Sequence, residues 1–335
     1  MPDRRYYRPL VQSGKVAPAS AILLAGGPVW FTHVERLQRG REPEVISARE
    51  LPDEIASALT SPRASICGLT FEHPLLMGVL NTTPDSFSDG GQFDGVEAAF
   101  RRGGEMIAQG ADLIDIGGES TRPGAKLVDN AQEIARVLPV AEALHKEFSQ
   151  TPLSIDTRKA EVASAVLAAG AGLVNDVSAL EYDAKMGPLL AKSGAAICLM
   201  HAKGTPKNMQ DAPRYDDVLL DVYDYLQGRI DHCLALGIAR ERILLDPGIG
   251  FGKTLAHNLA LIRGLSLFHG LGCAILLGVS RKSFIGEIAR EPDANARLPG
   301  SIAVGLEGLR QGVQMLRVHD IRETRQAVSL WQATR

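Results

Sequence analysis

Residues 75–118 read LLMGVLNTTPDSFSDGGQFDGVEAAFRRGGEMIAQGADLIDIGG. LLMGVLN is an apolar run that turns abruptly polar after Asn81. Pro84, Asp85, Ser86, Ser88, Asp89, Gly90 and Gly91 then spell a loop rather than the start of a helix. GVEAAFRRGGEMIAQ carries apolar residues at helical spacing, and DLIDIGG is a second apolar run. A buried strand, a polar loop, a helix and another buried strand make the repeating unit of a parallel sheet covered on both faces.

The same rhythm continues outward. Further apolar runs are LSIDT, GLVNDV, AAICLMH, ILLDPG, AILLGVS and MLRVHD, which brings the strand count to eight. Helix-like segments lie between them, among them AQEIARVLPVAEALHKEF, KAEVASAVLAAG, YDDVLLDVYDYLQGRIDHCLALG and SIAVGLEGLRQG. From Asn81 to Arg317 the runs recur about every 34 residues, so the stretch has the size of a (β/α)8 TIM barrel. A doubly wound open sheet is the alternative. Eight evenly spaced units favour closure, so the barrel is expected over residues 71–335. Residues 1–70 contain the charged stretch ERLQRGREPEV and no strand–helix alternation, and read as an N-terminal extension of uncertain fold.

Composition narrows the function classes. The chain has 335 residues, 45% hydrophobic and 22% charged, which is ordinary for a globular protein. A formal net charge of -3 and 5% aromatic residues give no support to a nucleic-acid partner. Cys67, Cys198, Cys233 and Cys273 are widely spaced and include no C-x-x-C pair. They suit incidental reduced thiols rather than a disulfide frame or zinc site, and point to the cytoplasm. No stretch approaches the ~18 consecutive apolar residues of a membrane span. PASAILLAGGPVW follows Arg4, Arg5 and Arg8, but Tyr6, Tyr7 and Lys15 spoil a signal-peptide pattern.

A barrel of this kind carries its site at the C-terminal ends of its strands. There the runs deliver Asn81, Asp115 leading into Gly117 and Gly118, Asp156, Asn175 with Asp176, His201, Asp246, Ser280 with Arg281 and Lys282, and Arg317 with His319. A single Asp176 or Ser280 is as readily a helix or turn cap as a functional group. A complete ring of polar strand ends is harder to explain that way. Asp156 and Asp246 are embedded in apolar strands, where a carboxylate needs a donor partner, and a small heterocycle with several N–H groups would be one. Arg122, Lys282, Arg317 and His319 form a cationic set suited to phosphate or carboxylate oxygens. The ligand therefore reads as a polar ring with an anionic end. PGIGFGKT is not a phosphate-binding P-loop, because Pro247 stands where its first Gly would be. There is no H-E-x-x-H and no G-x-S-x-G.

MGVLNTTPDSFSDGG, DIGGESTRPGA, SIDT, NDVSAL, LLDPGIGFGK, GVSRKSFIG and RVHDIRET occur in that order. Over about residues 68–333 the chain resembles the dihydropteroate synthases of folate biosynthesis. The resemblance implies a (β/α)8 barrel that condenses 7,8-dihydropterin-6-methyl pyrophosphate with p-aminobenzoate, giving 7,8-dihydropteroate and pyrophosphate by an SN1-like route assisted by Mg2+. It assigns pterin binding to Asp156, Asn175, Asp246 and Lys282, and pyrophosphate binding to Arg122, Arg317 and His319. Thr121, Pro123, Phe251 and Ser283 match the p-aminobenzoate pocket, and Asn81 matches the metal-associated asparagine. Phe87 and Asp89 fall in the lid loop, and Asp89, Asp246 and Lys282 are the catalytic set. A homodimer joined through helices near the C-terminus is implied as well. Departures from the common pattern are Thr82 for Val, Arg158 for Ser, and HAKG at 201–204 for HMQG. Two other readings stand beside the synthase: a pterin-binding methyltransferase domain, and a non-catalytic pterin-binding homologue. The intact TPDSFSDGG and SRKSFIG stretches, and the presence of Asn81, Lys282 and Arg317, favour the synthase.

Overall fold

A computed structural model describes residues 4–14, 16–82, 92–119, 127–204 and 212–335. The extension has a fold of its own. Strands β1 (Arg5–Pro9), β4 (His33–Gln38) and β5 (Glu44–Ser47) form an antiparallel sheet in the order β1-β4-β5. Strands β2 (Ile22–Leu23) and β3 (Trp30–Phe31) pair separately, and α1 (Asp53–Thr60) follows. Leu24, Val29, Phe31, Val34, Ile46 and Leu59 pack as a small separate core. Two of these strands are only two residues long, too short to show a period of two, so no alternation marks them in the sequence.

All eight apolar runs are strands, and they close. They are β6 (Leu75–Asn81), β7 (Leu113–Gly117), β8 (Leu153–Asp156), β9 (Leu173–Asp176), β10 (Ala196–Met200), β11 (Ile243–Asp246), β12 (Ala274–Gly278) and β13 (Met315–Val318). Every neighbouring pair is parallel, and β13 returns to β6 with Met315 opposite Leu75 and Val318 opposite Gly78. That last pairing rules out the open sheet. The helices are α2 (Gln92–Ala108), α3 (Asn130–Glu147), α4 (Ala160–Ala168), α5 (Met186–Ser193), α6 (Val218–Ala235), α7 (Leu255–Arg263), α8 (Ser283–Ala289), α9 (Leu298–Arg310) and α10 (Ile321–Thr334). Short polar side chains start several of them: the Asp129 carboxylate accepts from the Gln132 N–H at 2.8 Å, and Asp217 accepts from Leu219 and Leu220 at 3.0 and 3.2 Å. No helix among the described residues is long and apolar enough to cross a membrane.

Strand alternation sorts the core into two layers. Leu76, Ile114, Ile116, Ile155, Val174, Leu199, Leu245, Leu277 and Leu316 pack outward against the helices. Leu75, Met77, Leu113, Leu173, Cys198, Leu244, Leu276 and Met315 fill the barrel interior, with Ile66 beneath them. The extension docks on the outside. The Ser266 hydroxyl donates to the Pro9 carbonyl at 2.9 Å, and Tyr6 meets Tyr223 of α6 edge-on with centroids 5.4 Å apart.

Candidate active site

The interior layers turn polar toward the strand ends. Counting in twos from the apolar interior residues, Leu113 leads to Asp115 and Gly117, and Leu173 leads to Asn175. Leu244 leads to Asp246, Leu276 to Gly278, Met315 to Arg317, and Met77 to Asn81 through Val79. Ser154 and Asp156 take the inward positions of β8, because Leu153 and Ile155 belong to the outer layer. One pleat rule therefore places seven polar side chains at one mouth of the barrel.

Asp115 is the hub of one half. Its side chain is fully buried, and it accepts from the Ser154 hydroxyl at 2.6 Å, the Asn175 amide at 2.9 Å and Arg317 Nε at 2.7 Å. Arg317 Nη2 reaches on to Asp156 at 2.8 Å. The guanidinium thus lies between two carboxylates, and the expected separation of acceptors from cations gives way to an interleaved set. Asp156 finds its donor within the protein. Burial nevertheless pushes Asp156 up to about 7, with Arg317 opposing and Asp115 adding to the rise. Burial also works against the charge on Arg317, but Asp115 and Asp156 outweigh it and strengthen its hold on the proton. Asp115 received no role from the sequence, although an Asp three residues into a buried strand was the available signal.

Asp246 and Lys282 form the other half. Asp246 accepts from the Gly248 N–H at 2.7 Å, and burial raises its pKa against the pull of Lys282. Lys282 donates to the Ile249 carbonyl and stands 4.7 Å from the centre of the Phe251 ring. Burial lowers Lys282 to about 8, with Asp246 opposing. A Cβ on Gly278 would lie 3.5 Å from Asp246 Oδ2 and 3.9 Å from Lys282 Nζ, so glycine keeps space open between them.

The loop carrying Phe251 is held from below. Buried Lys253 Nζ lies 2.8 Å from His201 Nδ1 and donates to the Phe251 carbonyl at 3.0 Å. Burial, then the Lys253 charge, lower His201 to about 2, so the imidazole is neutral. Gly248 and Gly252 have φ of +67° and +64°. A Cβ on them would stand 1.8 Å from the His201 carbonyl oxygen and 2.2 Å from that of Lys203, so only glycine allows the two loops to touch. The glycines of PGIGFGKT thus serve loop packing, and its lysine is buried.

The remaining expected residues are distributed as follows. His319 Nδ1 lies 2.9 Å from the Ser280 hydroxyl. Asn81 ends β6 beside Gly117, where a Cβ would lie 3.5 Å from Asn81 Oδ1 and 3.6 Å from Asp156 Cβ. Ser283 is the exposed first residue of α8. Asp176 is a turn cap, accepting from the Ser178 and Leu180 N–H groups at 2.8 Å each. Phe87, Asp89, Thr121, Arg122 and Pro123 lie outside the described residues. A buried cluster that the sequence did not suggest flanks positions 120–126: Lys159 pairs with Glu133 at 2.6 Å and Glu119 at 3.3 Å, and Glu119 accepts from the Val128 N–H at 3.0 Å. Two clefts of about 610 and 640 Å³ lie at the opposite end of the barrel, against the extension, and hold none of the residues expected at the site.

A parallel eight-stranded barrel whose mouth is lined by buried acids, a lysine and an arginine has the architecture of a pterin-binding enzyme, and the family described as "Pterin binding enzyme" matches residues 77–319. The chain is 44% identical over 266 residues to the dihydropteroate synthase of Escherichia coli (strain K12), an alignment that spans 79% of this chain and 93% of that one. Among solved structures, the Xanthomonas albilineans dihydropteroate synthase with 4-aminobenzoic acid superposes with a TM-score of 0.76 at 45% identity, covering 82% of this chain and 98% of that one. The same enzyme in complex with 7,8-dihydropteroate gives 0.74 at 42%, covering 81% and 98%. The chain belongs to the dihydropteroate synthase family.

Proposed function

We infer that the barrel mouth binds a dihydropterin pyrophosphate and p-aminobenzoate and joins them, with the site residues divided by chemistry. Asp156 and Asp246 accept from the pterin ring N–H groups, and Asn175, which gives one of its two N–H groups to Asp115 at 2.9 Å, offers its amide oxygen and its other N–H. Lys282 donates to the ring and counters Asp246. Arg317 and His319, with Arg122, take the pyrophosphate, while Phe251 and Ser283, with Thr121 and Pro123, border the p-aminobenzoate. Phe87 and Asp89 belong to the loop that covers the pair. The observation that carries this reading is the pair of buried acids at one inward register: Asp156 is held by Arg317 at 2.8 Å, and Asp246 is held by the Gly248 N–H at 2.7 Å with Lys282 across Gly278 from it.

The reaction breaks the bond between the exocyclic methylene and the pyrophosphate oxygen, and the leaving group takes the electron pair. The cation left on the pterin is spread over the ring, and Asp246 and Asp89 stabilise it through space. The neutral amine of p-aminobenzoate then attacks the methylene and loses its proton. No covalent enzyme intermediate is required.

Mg2+ belongs to the same reading. No group of three or more His, Cys, Asp or Glu among the described residues could hold a metal. Mg2+ is commonly held by one or two protein ligands and by substrate phosphates, and the Asn81 side-chain oxygen, at the end of β6 beside Gly117 and Asp156, suits that arrangement. Asn81 would hold the ion, which would supply charge neutralisation to the pyrophosphate. The reading also includes a homodimer, testable by light scattering, and a reducing cytoplasm, which suits four free cysteines.

The test is pyrophosphate release by purified protein supplied with the dihydropterin pyrophosphate and Mg2+, with and without p-aminobenzoate. Dihydropteroate formed in step with p-aminobenzoate-dependent release is expected. Pterin binding without product would instead favour the non-catalytic homologue.

A further inference from the structure

We propose that the N-terminal extension is a positioning element for the catalytic face: Arg39 holds the 212–217 segment through Asp221, and Tyr215 of that segment holds the loop that carries Phe251. The proposal rests on the reading that this loop serves the site. Each link is a direct contact. Arg39 spans two acids on α6, with Nη1 at 2.6 Å from Asp221 Oδ1 and Nη2 at 2.8 Å from Asp224 Oδ2. The other Asp221 oxygen accepts from the backbone N–H groups of Asp216 and Asp217 at 3.0 and 3.4 Å. The same carboxylate therefore receives the extension on one side and shapes the chain entering α6 on the other. The guanidinium gives one N–H to each carboxylate and so ties Asp221 and Asp224 to a single planar group.

The chain at 212–217 reaches the site through its tyrosine. Tyr215 Oη donates to the Gly252 carbonyl at 2.8 Å, and its ring packs against His201 and His257 with centroids 6.0 and 4.9 Å away. Gly252 lies close against the neighbouring chain, since a Cβ added there would stand 2.2 Å from the Lys203 carbonyl oxygen. The neighbouring Phe251 ring faces Lys282. A shift of Asp221 is thus passed to Phe251 through packed groups rather than absorbed by an open loop. The family match begins at residue 77, so Arg39 lies outside it, whereas Tyr215 and Gly252 lie within it.

Hydrogen exchange on the full-length protein tests the relay. Arg39→Met is expected to speed exchange about tenfold both at 212–217 and at 248–253. Tyr215→Phe should speed 248–253 alone, and the double variant should exchange there no faster than Tyr215→Phe. Arg8→Met is the control, since Arg8 ties Glu35 to the Arg263 carbonyl and touches no link of the relay. It should leave 248–253 unchanged. Unaltered exchange at 248–253 in Arg39→Met, or additive effects in the double variant, would overturn the proposal. Kinetics supply a separate arm: Arg39→Met should raise KM for p-aminobenzoate about fivefold with kcat nearly constant. Coupled exchange with an unmoved KM would uphold the relay and withdraw Phe251 from that substrate's pocket.

Discussion

One Asp115 oxygen accepts from both Asn175 and Arg317, and the other accepts from Ser154. Asp115→Asn would turn an N–H toward at least one of these donors and remove the charge opposite Arg317. Breaking a buried ion pair on one side costs about 3–5 kcal/mol. We expect a lower melting temperature together with at least tenfold weaker pterin binding by calorimetry; unchanged binding would show that Arg317 and Asn175 hold their places without it. The paired shifts of Asp156 and Lys282 set a pH window. Burial raises the carboxylate, so its charged form is gained as pH rises through about 7. Burial lowers the ammonium, so its charge is lost as pH rises through about 8. If the charged forms bind the pterin, kcat/KM should peak narrowly between these limbs. Asp156→Asn should abolish the acid limb, and Lys282→Arg should push the alkaline limb upward, both read from pH–rate profiles.

Elements differ in how much change they tolerate, and glycines show it most plainly. Gly248 joins β11 to the Phe251 loop at positive φ, and an added Cβ would overlap the His201 carbonyl. Gly248→Ala therefore forces the β10 and β11 loops apart, and should cost several degrees of melting temperature along with activity. Gly278, at the end of β12, offers ordinary contact distances instead. Gly278→Ala should fold almost normally and raise KM for the pterin substrate, because the methyl fills space between Asp246 and Lys282. Equal loss of stability in both variants, measured by thermal melts, would contradict this distinction.

At the scale of the whole molecule, the extension and barrel have separate hydrophobic cores but share a boundary. Tyr6 belongs to the barrel's outer cluster, whereas Tyr7 beside it belongs to the extension's. Arg4, Tyr6 and Arg39 all converge on Asp224. Scanning calorimetry is expected to show one transition for the full chain. Phe31→Ala, which opens a cavity in the extension at a cost of about 3–5 kcal/mol, should lower that single transition. A second, earlier transition would show that the extension melts independently of the barrel.

The sequence alone determined the eight strands, because each is an apolar run buried on both faces and each is followed by polar punctuation. It also determined which strand ends carry Asp156, Asn175, Asp246 and Arg317, since a pleat of period two leaves little choice once the interior residues are known. Motif resemblance supplied their expected roles. Tertiary structure decided what period and motif do not encode. Closure depends on β13 finding β6 across 240 positions of chain. The partnership of Arg317 with Asp115 and Asp156 depends on three strands meeting around one interior. Lys253 resembles part of a phosphate loop in sequence, and only the packing of two glycine loops buries it against His201. The extension stayed unreadable for a related reason: two of its strands are only two residues long, the burial of β1 and β4 does not alternate, and Arg39 finds its acidic partners 182 and 185 residues away.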